Sequence, residues 1–424
     1  MKEYTLYKDC DIPWLSSLPT HWVTKRAKYL FSLLDRPVEP HYEVITCFRD
    51  GVVTLRKNRR QTGFTESLTE TGYQGIKAGD LVIHQMDAFA GSVGVSDSDG
   101  KSTPVYSVCS PKEELSPYYY AYIIREMART NYILSLAKGI RQRSTDFRFP
   151  TFARCLLPVP PVEEQNAIVS YLDKKCAEID ELVTRRQAII ERLKELKQSI
   201  IAEVVTKGLN PDAPMKDSGI DWLGEVPQHW VKYRTPSILK VTSKAGTDSD
   251  ELLSVYLDRG VIKHSESDGM QVHKPSKDMS AYQKVLPGNF VCNNQQAWRG
   301  SVGVSEHEGR ISPAYIIFNL SSKLEPKFAN YFFRSQAWNP SFVYSSKGVG
   351  SIQRNLYLPW LRQHYCYLPS TEEQQAIVTY LDKKCAEIDE LVARQEQIIE
   401  KLKELKTSTI AHVVTGKVDV RDAI

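Results

Sequence analysis

No stretch of this 424-residue chain approaches the roughly 18 consecutive apolar residues of a membrane span. The opening MKEYTLYKDCDIPWL lacks the apolar run of a signal peptide. Both absences lead us to expect a cytoplasmic protein without membrane partners. Charge of one sign is also missing: the formal net charge is +4, so no polycationic tail advertises nucleic acid, and any such contact has to come from local patches. None of the eight cysteines stands in CxxC spacing, so reduced structural thiols are expected, with neither zinc nor disulfides. The rest of the composition, 42% hydrophobic and 25% charged, is that of an ordinary globular protein with room for two or three domains.

Residues 163–207 lack both proline and glycine. They read EEQNAIVSYLDKKCAEIDELVTRRQAIIERLKELKQSIIAEVVTK, and the same segment returns at 372–416, offset by 209, with 34 of 45 positions identical. Richness in Leu, Glu, Lys, Arg and Ala predicts one long helix in each place, about 65 Å from end to end. A heptad reading puts Leu172, Ile179, Leu182, Ile189, Leu193, Leu196 and Ile200 on one seam of the first helix. The second carries Leu381, Ile388, Leu391, Ile398, Leu402 and Leu405 in the same slots. Each stripe needs a partner, and the obvious one is the other copy. Because the first helix leaves one domain for the next and the second helix leaves that next domain, the pair is expected to be antiparallel. Arg186 and its mate Gln395 interrupt the stripe; they either fix its register or are ordinary surface residues.

The duplication extends beyond the helices. KDCDIPWLSSLPTHW at 8–22 matches KDSGIDWLGEVPQHW at 216–230, aligning Trp14, Leu15, Pro19, His21 and Trp22 with Trp222, Leu223, Pro227, His229 and Trp230. These look like hooks that pack against helix ends, the first hook against the end of the second helix, which would make the fold circular in space. Between hook and helix, EVITCF, GVVTL, DLVIHQM, GSVGV and TPVYSV read as strands broken by turns, followed by a helical stretch at 117–137. The second copy keeps this order, with a helix near 327–338. Gly79, Gly91, Gly94 and Pro104 find Gly288, Gly300, Gly303 and Pro313 at the same offset. The expected domains are a first head at 1–160, a spacer helix at 161–208, a second head at 209–369, and a second spacer helix with a tail at 370–424.

The loops diverge where the frame does not. Arg56, Lys57, Asn58, Arg59 and Arg60 in the first copy face Ser265, Glu266 and Asp268 in the second. His84, Gln85, Met86 and Asp87 face Asn293, Asn294, Gln295 and Gln296, with Arg299 close by. Arg141, Gln142 and Arg143 face Gly350, Ser351 and Ile352, followed by Gln353 and Arg354. Arg, Asn and Gln have the paired donors and acceptors that match base edges, and Lys and Arg neutralise phosphates. Basic loops are also ordinary solvated surface, so these are candidate DNA contacts residue by residue.

IDWLGEVPQHW at 220–230, its copy at 12–22, and the doubled P-x-x-EEQ-x-AIV-x-YLD-x-K-x-x-x-ID resemble the specificity subunit of type I restriction-modification systems over essentially the whole chain. The resemblance implies an α+β fold: two mixed α/β target-recognition domains joined by two long antiparallel helices as a coiled-coil spacer. It further implies a non-catalytic subunit for phage defence in which each domain reads one half of a bipartite site on double-stranded DNA. The helices would set the spacing and dock two modification subunits, and restriction subunits would join them. S-adenosylmethionine, Mg and ATP would belong to those partners. The unlike loops predict an asymmetric target.

Two rival readings come from other classes. An adenine methyltransferase would need an N/D-P-P-Y/F motif; Asn339-Pro340-Ser341-Phe342 lacks the second proline, and no glycine-rich cofactor loop follows a strand. GVSDSDGKS at 94–102 has one residue too many between its glycines for a phosphate loop, so a surface turn is expected. A coiled-coil scaffold that binds no DNA is the other rival. Glu163-Glu164 and Glu372-Glu373 point about 100° apart on a helix and do not converge on a metal; helix-start chemistry is expected to explain them.

Overall fold

The computed structural model describes residues 2–59, 70–136, 146–267, 276, 278–348 and 354–423. The chain divides into two units, Met1–Arg186 with Gln397–Ile424, and Gln187–Glu396.

In the first unit, four strands form an antiparallel sheet: β1 (Phe31–Leu33), β2 (Leu81–His84), β3 (Val93–Val95) and β4 (Tyr106–Pro111), in the order β1-β4-β2-β3. The run Leu81-Val82-Ile83 is apolar throughout because both faces of its strand are covered. Leu81 and Ile83 join a large core with Ile123, Ile124 and Met127 of helix α1 (Pro117–Arg129). Val82 faces the other way, into a smaller core with Ile45, Val53 and Val108 beneath the hairpin of Ile45–Cys47 and Val53–Leu55. Helix α1 starts where Ser116 accepts the Tyr119 N–H and Pro117 supplies a ready-made first-turn φ. The helical stretch expected to reach 137 breaks at Asn131, whose φ of 60° is left-handed, and resumes as Tyr132–Leu136.

The second unit repeats this plan. Strands β5 (Leu239–Thr242), β6 (Asn289–Asn293), β7 (Val302–Val304) and β8 (Tyr315–Leu320) pair in the order β5-β8-β6-β7. Phe290 and Cys292 face the helix Pro326–Arg334, and Val291 faces the second core with Leu253, Val255 and Val261. We label the long first helix α2 (Val162–Lys207), this unit's short helix α3 (Pro326–Arg334), and the last helix α4 (Thr371–Val414). Phe290 and Phe333 lie 4.5 Å apart between ring centroids, one contact in an aromatic core that also holds Phe328, Phe332 and Trp338.

Each unit holds the start of one long helix beside the end of the other. In the first, Asp180 pairs with Lys406 at 2.7 Å, and further toward the start of α2, Ile168 and Leu172 share a core with Val413 and Val414 at the end of α4. As numbering falls along α2 it rises along α4, so the two segments run in opposite directions. In the second unit Lys197 pairs with Asp389 at 2.7 Å, while Ile201, Val204 and Val205 share a core with Ile377 and Leu381.

The seam differs from the expected one. Leu172, Cys176, Ile179 and Ile190 are buried on α2, as are Leu381, Cys385, Ile388 and Ile399 on α4, whereas Leu182 (40% exposed), Ile189, Leu196 (49%), Leu391 and Leu405 face outward. Leu193, Ile200, Ile398 and Leu402 are half-buried, as are Arg186 and Gln395. Two heptad stripes share the Leu172–Ile179 row, and the pattern alone favoured the leucine-rich one. The helices pack through the other, which keeps to the 4-3 spacing and accepts cysteine, valine and lysine. Ile190→Ala is therefore expected to destabilise the second unit by about 3 kcal/mol. Ile189→Ala next to it should change the denaturation midpoint by less than a tenth of the total; equal effects would contradict this seam.

Among the described residues no helix is long and apolar enough to cross a membrane.

Candidate nucleic-acid interface

The heads are clamped to the long helices by two residues at each helix start. Glu164 is buried, and its carboxylate accepts from the Tyr4 hydroxyl, from Trp22 Nε1 at 2.9 Å, and lies 2.8 Å from His21 Nε2. Glu373 repeats this with Trp230 Nε1 at 3.2 Å and His229 Nε2 at 2.8 Å. Next to them, the Gln165 amide oxygen accepts the Ser116 N–H and its nitrogen donates to the Pro160 carbonyl; Gln374 accepts from Glu325 N and donates to Lys323 and Pro369 carbonyls. Helix-start chemistry thus explains Glu163 and Glu372 only. The second carboxylate of each pair holds the hook, a role for which the spacing in sequence, more than 140 residues, gives no local sign. The first hook also meets the end of α4: a side chain at Gly416, where φ is +72°, would begin 2.6 Å from Pro19 and 3.0 Å from Trp22, and Tyr119 donates to the Val414 carbonyl.

On each frame sit the divergent turns. In the first unit, Arg56–Asn58 forms a short 3-10 turn after the hairpin. Its charges have partners at home: Lys57 pairs with Glu43 at 2.5 Å, Arg59 with Asp50 at 2.7 Å while stacking on Phe48, and Arg56 donates to Thr46 Oγ1. The Arg59 pairing holds the Asp50 carboxyl below its ordinary range. Asn58 donates to Thr54 Oγ1. His84 is half-buried at the end of β2 with Nδ1 accepting the Asp87 N–H, and burial lowers its pKa; a neutral ring with its other nitrogen available as a donor follows. The Gln85 side chain turns inward toward the Pro104 carbonyl and Ser107, and its own carbonyl receives Phe147 N–H at 3.0 Å. Met86 is exposed, and Asp87 pairs with Arg49. Arg60, Arg141, Gln142 and Arg143 lie outside the described residues.

In the second unit the matching 3-10 turn is His264–Glu266, with Arg259 donating to the Glu266 carbonyl; the local charge has changed sign along with the sequence. Asn293 Oδ1 caps the turn by accepting Gln295 N–H, and the Asn294 carbonyl receives Leu356 N–H at 2.9 Å. Asn294 Oδ1 is buried without a partner among the described residues, so this side chain, like Gln85, points into the head. Gln295 and Arg299 are exposed and Gln296 is half-buried. Arg299 and Arg354 both lie over the Trp298 ring, at 5.7 and 5.2 Å. The structure thus brings Asn293, Gln295, Arg299 and Arg354 to one corner and adds Trp298, which sequence reasoning passed over because a lone tryptophan reads as core. Ser351 and Gln353 lie outside the described residues.

The rival motifs resolve differently. Asn339 opens a short helix, Asn339–Tyr344, whose Phe342 is fully buried in the core, so no base could stack there. Gly100–Ser102 is a strand paired with Gln74–Ile76, which places the glycine-rich run between strands and not at a helix start.

This architecture is that of HsdS subunits. A chain from a structure of a type I R-M system, described as showing complex assembly and conformational transition, matches with a TM-score of 0.66 at 16% identity over 95% of this chain and 99% of that one. The HsdS subunit of Thermoanaerobacter tengcongensis matches with a TM-score of 0.54 at 16% identity, over 95% and 98%. The curated homologues are type I restriction enzyme specificity subunits. That of EcoKI from Escherichia coli K12 is 21% identical over 94% of this chain and 90% of its own. That of EcoBI from Escherichia coli is 24% identical over 63% and 59%. A Methanocaldococcus jannaschii protein provisionally named as the MjaX specificity subunit is 22% identical over 73% and 70%. No protein-family model matches the chain.

Proposed function

We propose that this chain is the DNA sequence-recognition subunit of a type I restriction-modification complex. One observation carries the reading: a single frame is built twice, with the same strand order and the same turn positions, and the turns carry unlike polar side chains. A frame kept while its turns change suits two recognition surfaces for two half-sites. The arginines and lysines supply phosphate contacts, and Gln295, Arg299 and Arg354 supply groups for base edges. The exposed Leu182, Ile189, Leu196, Leu391 and Leu405 give the long helices an apolar face for the modification subunits. In this reading the chain performs no chemistry; modification subunits holding S-adenosylmethionine methylate adenine N6, and restriction subunits use Mg and ATP for cleavage.

Single-molecule sequencing of methylated adenines, in cells with and without the gene, should show one bipartite asymmetric motif that disappears with it. A palindromic motif that depends on this chain would overturn the two-half-site reading. Binding of the assembled complex to random duplex should fall steeply with salt, about tenfold or more between 50 and 200 mM. A protein that binds no duplex, alone or with its partners, would be a scaffold.

A further inference from the structure

The corner of the second unit built on Trp298 has no equivalent in the sequence of the first, where the matching places hold Phe89 and Ala90. Trp298 is fixed by its indole N–H, which donates to the Gln295 carbonyl at 3.0 Å. Arg299 follows it on the same turn. Arg354 arrives from elsewhere, just before the strand Asn355–Leu356 that the Asn294 carbonyl holds, and the two guanidiniums come to lie over one indole ring. Each is attracted to the ring face by its negative quadrupole. A guanidinium carries its N–H groups in one plane as a rigid fork, which matches paired donation to guanine O6 and N7.

We propose that Trp298 is a positioning residue that holds Arg299 and Arg354 as the guanine-reading pair of the second unit, so that the half-site read there contains a guanine whose recognition depends on Trp298. This rests on the DNA-recognition reading above.

The test uses the complex with its modification subunits and duplexes carrying its methylation motif, in which each guanine in turn is replaced by 7-deazaguanine, which lacks the N7 acceptor. Wild type should lose about tenfold in affinity at a guanine of the half-site read by the second unit. Trp298→Ala should bind the unmodified duplex correspondingly less tightly and be indifferent to the replacement there, with sensitivity in the other half-site kept. Trp298→Phe should restore most of the discrimination. Because Arg299 is exposed, Arg299→Ala keeps the fold and should abolish the same discrimination even where Trp298→Ala proves unstable. A half-site without guanine, or undiminished discrimination in Arg299→Ala, overturns the proposal while leaving DNA recognition intact. A wild-type complex that binds no duplex strikes the DNA-recognition reading itself.

Discussion

Glu164→Ala is expected to destabilise the first unit by about 3 kcal/mol, because it leaves the Trp22 indole N–H and the Tyr4 hydroxyl in a buried site with nothing to accept them. For a unit of this size that corresponds to a fall of about 8 °C in the first unit's melting temperature. Glu373→Ala should cost the second unit less than half as much. Its carboxylate is 26% exposed against 4% for Glu164, and the second hook has Asp212 where the first has Tyr4, at the hook offset. Calorimetry on the full-length protein and both variants separates the two. Equal shifts would contradict this difference in burial, and no shift in either variant would mean that the hooks are held by apolar packing alone.

Gly94→Ala and Gly303→Ala stand at matching places in β3 and β7 and should have unequal effects. A side chain at Gly94 would begin 1.9 Å from the Gly51 carbonyl oxygen, whereas at Gly303 the nearest atoms are 3.1 Å away. The first clash is with backbone, and that backbone has little freedom: Gly51 has φ of +90° and the Arg125 guanidinium lies against it. The hairpin carrying Asp50 must therefore lift from the sheet, which is expected to cost about 3 kcal/mol and to disturb the Asp50–Arg59 pair. Gly303→Ala should cost less than about 1 kcal/mol. Urea denaturation of the full chain reads both values. On the function proposed above, methylation of the bipartite motif in cells should weaken in Gly94→Ala and persist in Gly303→Ala, and the reverse order would contradict this packing.

Much of the frame was legible because its signals are local or repeated. Residues 163–207 lack helix breakers over their whole length, and a second copy made the helix and its partner evident together. The strand runs at Leu81–His84 and Asn289–Asn293 announced themselves by continuous apolar character. Which stripe of α2 would be buried was not legible: the row containing Leu182, Ile189 and Leu196 is more apolar than the one containing Cys176, Val183 and Lys197, and periodicity cannot distinguish a face that meets a helix from one left open. Nor could sequence tell that Gln85 and Asn294 turn inward while Gln295 and Arg299 face out, since side-chain direction in a turn is set by the strand that closes on it.

The sequence by itself determined the duplication, the two long helices and the places where the copies differ, because identity at a fixed offset and the absence of proline and glycine require no knowledge of contacts. Tertiary structure alone decided that Glu164 and Glu373 grip the hooks, that Cys176 and Cys385 are buried while Leu182 and Leu391 face outward, and that Trp298 gathers Arg299 and Arg354. Each of these joins residues far apart in the chain or chooses between two equivalent faces, and such choices are made by burial and hydrogen bonding in the folded protein, where a buried acceptor without its donors or an unfilled seam is too costly to persist.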